Sequence, residues 1–204
     1  AGRSAVFSPD GHHLALGLAD GNLVVLHSPT LRTIADRKID GGGTGGGAPS
    51  AAVTALAYSP DGRRLAAGDA ARRIAIFAVR GPGGGERTYR QLAVCAGHTG
   101  AVTHLGWSAD GARLRSNCDA LELRFWSGRD AKAVEPNAAT EWPTAATLYS
   151  PQTAGAHDAH GGDARVRAVG ASHAKEGVGD GGRLLAIGDE YQALSLCAFP
   201  APSA

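Results

Sequence analysis

The chain has 204 residues and a formal net charge of +1, from 20 basic and 19 acidic side chains. Glycine (30) and alanine (40) make up about a third of it, and aromatics only 5%. Near-neutrality gives no general reason to expect nucleic acid or an anionic membrane as partner. The glycines carry no collagen period, and no apolar run approaches the length of a membrane span. The stock of Leu, Val, Ile, Phe, Trp and Tyr is thin for this length. The core is therefore built from small repeated units or completed from outside the chain.

Repetition is the strongest signal. Ala5-Val6-Phe7-Ser8-Pro9-Asp10-Gly11 leads into His12-His13-Leu14-Ala15. Leu56-Ala57-Tyr58-Ser59-Pro60-Asp61-Gly62 leads into Arg63-Arg64-Leu65-Ala66, and Leu105-Gly106-Trp107-Ser108-Ala109-Asp110-Gly111 into Ala112-Arg113-Leu114. The turn serines thus fall at 8, 59 and 108. A degenerate fourth copy runs from Val166 to Val169 and resumes at Asp180-Gly181-Gly182-Arg183-Leu184-Leu185-Ala186. In each unit a short alternating strand meets the turn, where Pro fixes φ and Gly supplies a left-handed conformation. A second strand follows. A third begins after a few polar residues, at Leu23-Val24-Val25-Leu26, Ile74-Ala75-Ile76-Phe77, Leu121 to Trp126 and Ala193 to Cys197. Short antiparallel strands with turn signals at both ends predict an all-β repeat. The units are expected at about 1–40, 51–93, 98–135 and 163–199. Glycine-rich or mixed stretches at about 41–50, 81–87 and 150–162 read as flexible inserts.

The repeat resembles the WD40 unit, one four-stranded blade of a β-propeller. Gly97-His98 matches that unit's Gly-His. Its closing Trp-Asp is absent, with His27-Ser28, Ala78-Val79 and Trp126-Ser127 in its place. A closer likeness lies further on. Cys95 to Ser108, Leu114-Arg115-Ser116-Asn117 and Glu122-Leu123-Arg124-Phe125-Trp126 are similar to the echinoderm microtubule-associated protein-like family. So are Glu141-Trp142 to Thr147-Leu148, Ser172-His173 and Leu185-Ala186-Ile187-Gly188-Asp189-Glu190-Tyr191. Ala120 and Leu121 depart from it, standing where the family usually has Asp-Tyr, with Asp119 one position early.

The fold this implies is a partial WD40-like propeller of about four blades. The chain opens at an inner strand without a preceding Gly-His. It is expected to be a segment whose ring is completed by upstream blades of the same parent chain. The function the resemblance implies is a non-catalytic scaffold in the cytoplasm and cytoskeleton, extending to cilia or flagella. Its partners would be microtubules, tubulin or an axonemal protein, with no nucleic acid and no membrane. A generic WD40 interaction module in an unrelated complex is the competing expectation.

Candidate residues follow from the blade pattern. His98, Ser116 and Asp119, with Asp20 at the matching turn of the first unit, are expected in a structural hydrogen-bond network. Arg63, Arg64, Arg72, Arg73, Arg113 and Arg115 flank equivalent hairpins. Aligned on neighbouring blades, they would form a basic rim for an acidic partner. No catalytic residue, cofactor or metal is expected. There is no GxSxG, GxxxxGK[ST] or HExxH. His157-Asp158-Ala159-His160 lies in an insert without further ligands nearby. Cys95, Cys118 and Cys197 are an odd, widely spaced set that reads as reduced thiols used as small hydrophobes. Ser8-Pro9 and Ser59-Pro60 could be taken for modification sites, but their recurrence at one turn favours a structural reason.

Overall fold

A computed structural model of the chain describes residues 1–39, 51–81, 87–143, 166–171, 183–189 and 194–199. The expected inserts at 41–50 and 150–162, and most of that at 81–87, lie outside the described residues. So does the His157–His160 stretch. Among the described residues, fourteen strands form four antiparallel sheets. The first is β1 (Gly2–Phe7), β2 (His13–Leu18), β3 (Asn22–His27) and β4 (Thr33–Lys38), in that order across the sheet. The second is β5 (Val53–Tyr58), β6 (Arg64–Asp69), β7 (Arg73–Arg80) and β8 (Thr88–Ala96), so it runs past the expected boundary at 93. The third is β9 (Val102–Trp107), β10 (Arg113–Cys118) and β11 (Leu123–Ser127). Among the described residues, one bridge between Trp126 and Ala133 extends it outward. The fourth is β12 (Val166–Ala171), β13 (Arg183–Asp189) and β14 (Leu194–Phe199). The chain divides into two compact units, Ala1–Trp142 and Pro143–Ala204.

The Ser-x-Asp-Gly turns close the same way three times. In the second blade the Ser59 hydroxyl donates to Asp61 Oδ1 at 2.6 Å, and the Arg63 amide donates to the same oxygen at 3.0 Å. The Arg64 amide donates to Ser59 Oγ at 2.9 Å. Ser8 and Ser108 repeat the pattern with Asp10 and Asp110. Gly11, Gly62 and Gly111 sit at φ +72, +67 and +66, where a side chain would be strained. All three serines are buried. Their hydroxyls are internal pins, which accounts for the recurrence of Ser-Pro without invoking modification. At Asp110 the Ser108 hydrogen bond is the main reason its carboxyl titrates below the usual range.

In the first unit the three blades pack face to face. One apolar cluster joins Leu23, Val25 and Ala15 of the first blade to Val53, Leu65, Phe77 and Tyr89 of the second. Another joins Ala66, Ile74 and Ile76 of the second to Val102, Leu105, Trp107 and Trp126 of the third. Strand alternation divides β7 between them: Ala75, Phe77 and Val79 face back, Ile74 and Ile76 face forward. This resolves the thin apolar stock, because each residue serves an interface between sheets rather than one large centre. Side-chain hydroxyls add to the apolar contact. Ser4 donates to Val53 O at 3.2 Å, and Thr54 donates to Val102 O at 2.5 Å.

Candidate functional site

The polar centre of the third blade is built on Ser116, in the middle of β10. Trp126 Nε1 donates to Ser116 Oγ at 2.7 Å, and His98 Nε2 lies 2.6 Å from the same oxygen. On its other side, His98 Nδ1 is 3.1 Å from Glu122 Oε2. The proton order follows. An ionised carboxylate only accepts, so Nδ1 carries the hydrogen; a neutral ring then accepts the Ser116 hydroxyl at Nε2. Burial favours the neutral ring and lowers the His98 pKa, outweighing the opposing pull of Glu122. Glu122 is held ionised chiefly by Arg124, whose guanidinium reaches both oxygens at 3.3 Å, and by the Thr99 amide at 3.0 Å.

Two expected members stand apart from this network. Asp119 is exposed, and its carboxylate lies over Gly100 in the turn. Asp20 bonds only locally, accepting from the Asn22 amide and side chain at 3.1 Å. Glu122 was missed because its role depends on register. It stands just before the third strand of its blade, at the register position that Arg73 holds in the second. Arg73 instead pairs with buried Asp69 at 2.7 Å. The same two places thus carry a carboxylate–arginine pair in one blade and a thiol–carboxylate pair, Cys118 and Glu122, in the next.

His98, Cys118 and Glu122 place donor atoms within 4.8 Å of one another. Hydrogen bonds join all three donors, and the Arg124 cation lies on the carboxylate, so the set reads as a network rather than a metal centre. Cys95 and His104 do not join it. The thiol of Cys95 is pushed up to about 12 by burial, which makes it inert. Burial likewise lowers His104 to about 4.

The six expected arginines do not form one rim. Arg63, Arg64 and Arg113 lie at the Ser-x-Asp-Gly end of their hairpins. Arg72 and Arg73 lie at the opposite end of β6, roughly 17 Å away at the rise of a strand. Arg73 is moreover neutralised by Asp69. Arg115 is buried inside β10, with its guanidinium 4.6 Å from the centroid of the Trp142 ring. Arg113 and Arg64 donate to Glu135 O and Gly111 O, each at 2.8 Å. Sequence gave no sign of Arg80, which joins Arg63 and Arg64 around a groove of about 420 Å³.

Comparison with known proteins decides the family. The model of the echinoderm microtubule-associated protein second β-propeller matches residues 1–204. The chain belongs to the echinoderm microtubule-associated protein-like family. It is 30% identical to the 77 kDa echinoderm microtubule-associated protein of Lytechinus variegatus, over 97% of this chain and 27% of that protein. Identity to echinoderm microtubule-associated protein-like 2 of Homo sapiens is 27%, over 97% of this chain and 28% of that protein. This family member thus spans about a quarter of the length of those relatives. Its fold is like that of the RRP9 WD40 repeats, with a TM-score of 0.57 at 18% identity, covering 97% of this chain and 51% of that one. The designed Ika4 protein aligns at a TM-score of 0.51 and 14% identity, covering 97% and 91%. The fold is therefore WD40-like and all-β.

Proposed function

We propose that the chain is part of a non-catalytic cytoskeletal scaffold. It binds tubulin polymer or a microtubule-associated partner, axonemal proteins included, through its blade surfaces. The setting is the cytoplasm and cytoskeleton, with cilia or flagella as specialised sites. The supporting observation is the family match along the whole chain. Two features of the molecule agree with it. Interlocked sheets make a stiff platform, and Arg63, Arg64 and Arg80 gather positive charge at one end of the second blade. A microtubule surface is acidic, so the contact should be electrostatic and weakened by salt.

Co-sedimentation with stabilised microtubules tests this. Pelleting is expected at low salt, with release as salt is raised. Failure to pellet at low salt would overturn direct binding and leave only a partner-mediated role.

A further inference from the structure

The groove on the second blade has a structural cause. Its outer strand β8 contains a bulge: Gln91 faces Phe77 and Ala93 faces Ile76, leaving Leu92 as the extra residue. Such a bulge re-aims a side chain. β4 of the first blade has the same irregularity, with Ile34 between Thr33 and Ala35. There Ile34 packs into the cluster shared with the next blade, whose outer strand contributes Tyr89. Among the described residues Leu92 has no equivalent cover. There the third blade's outer edge shows one bridge, at Ala133, and Leu92 is 39% exposed. The bulge therefore presents an apolar side chain to a groove that is also lined by Ala78, Val79, Arg63, Arg64 and Arg80.

No carboxylate lines this groove among the described residues. The nearby acid, Asp61, accepts from the Ser59 hydroxyl and the Arg63 amide, and its charge also acts on Arg63 and Arg64, leaving Arg80 outside its reach among the groove's arginines. Arg64 is anchored through Nη1 on Gly111 O, which fixes its guanidinium at the groove. Three guanidiniums call for an anionic ligand. The exposed Leu92 side chain distinguishes a peptide from a bare phosphate chain, which has nothing to place there.

We propose that this groove takes an acidic peptide segment, with carboxylates on Arg63, Arg64 and Arg80 and an apolar side chain seated on Leu92. This names the partner chemistry of the scaffold reading and rests on it.

The test is fluorescence anisotropy of the full chain with a labelled peptide of glutamates around one leucine. Saturable binding is expected at low salt, weakening as salt rises. Reversing two exposed charges, Arg63→Glu with Arg80→Glu, should weaken binding roughly tenfold with the unfolding midpoint unchanged. If reversal shifts the midpoint, Arg63→Gln with Arg80→Gln serves instead. Leu92→Ala should weaken the leucine-containing peptide and spare an all-glutamate one. Absence of saturable binding, wild-type affinity in the arginine variants, or equal affinity for a single-stranded oligonucleotide of the same charge would overturn the assignment. Microtubule pelleting separates the two readings. A chain that pellets without binding peptide loses the groove and keeps the scaffold; the converse result loses direct microtubule binding and keeps the groove.

Discussion

Ser116 serves two nitrogen partners at once, donating to His98 and accepting from Trp126, in a place closed to water. Ser116→Ala would leave both ring nitrogens unpaired, and a buried unsatisfied group costs about 1–3 kcal/mol. A loss of about 2–3 kcal/mol in urea denaturation is therefore expected, whereas Asp119→Asn, on the surface, should stay within about 0.5 kcal/mol. Equal effects of the two changes would sink the Ser116-centred account. His98 and Ser116 are legible in sequence because each falls at a fixed place in the WD40-like unit. Glu122 is not, because a carboxylate's reach depends on how its strand begins. The preceding Leu121 sits at φ +63, the conformation that Gly21 takes at +85 in the first blade. That left-handed step immediately precedes Glu122, which faces His98.

The same contrast holds for whole elements. Ser-x-Asp-Gly hairpins are visible in the sequence because their bonds are local, spanning two to five residues. The bulge at Leu92, the burial of Arg115 under Trp142 and, among the described residues, the one bridge at the third blade's outer edge are not visible. Each is set by a neighbouring element rather than by the segment itself. The glycines in second strands lie between these cases. Gly17 and Gly68 look like weak points in a strand, yet each lies against the first strand of the next blade. A Cβ on Gly68 would come within 2.5 Å of Val102 Cγ1, and one on Gly17 within 2.6 Å of Val53 Cγ1. Gly68→Ala should therefore cost about 1–3 kcal/mol through overpacking. Adding Val102→Ala should recover part of that loss, a coupling measurable in a double-mutant cycle. Gly2→Ala, which meets nothing within 4 Å, is the control. Purely additive losses at 68 and 102 would show that the two sheets do not meet there as described.

Within each of the two units, and among the described residues, one blade face lacks the cover that the repeat gives its equivalents. Leu23 and Val25 stand opposite Gly17 and Ala15, and Ile74 and Ile76 opposite Gly68 and Ala66. All four are buried against the following blade. Leu194 and Leu196 hold the same register, opposite Gly188 and Ala186, yet are 75% and 66% exposed. In the first blade Phe7 is 58% exposed, where Trp107 of the third is buried. Burying one leucine is worth roughly 1.5–3 kcal/mol, so an open pair forgoes an amount comparable with a good part of a domain's net stability. We propose that further blades of the same propeller cover both faces in the parent protein. The 204-residue chain on its own should then self-associate in sedimentation velocity runs. Leu194→Lys with Leu196→Lys should shift it towards monomer without lowering its unfolding midpoint. A longer chain carrying the preceding blades should be monomeric with both leucines intact. A strictly monomeric wild-type chain would mean that these leucines need no partner. Self-association that survives the double substitution would locate the sticky surface elsewhere.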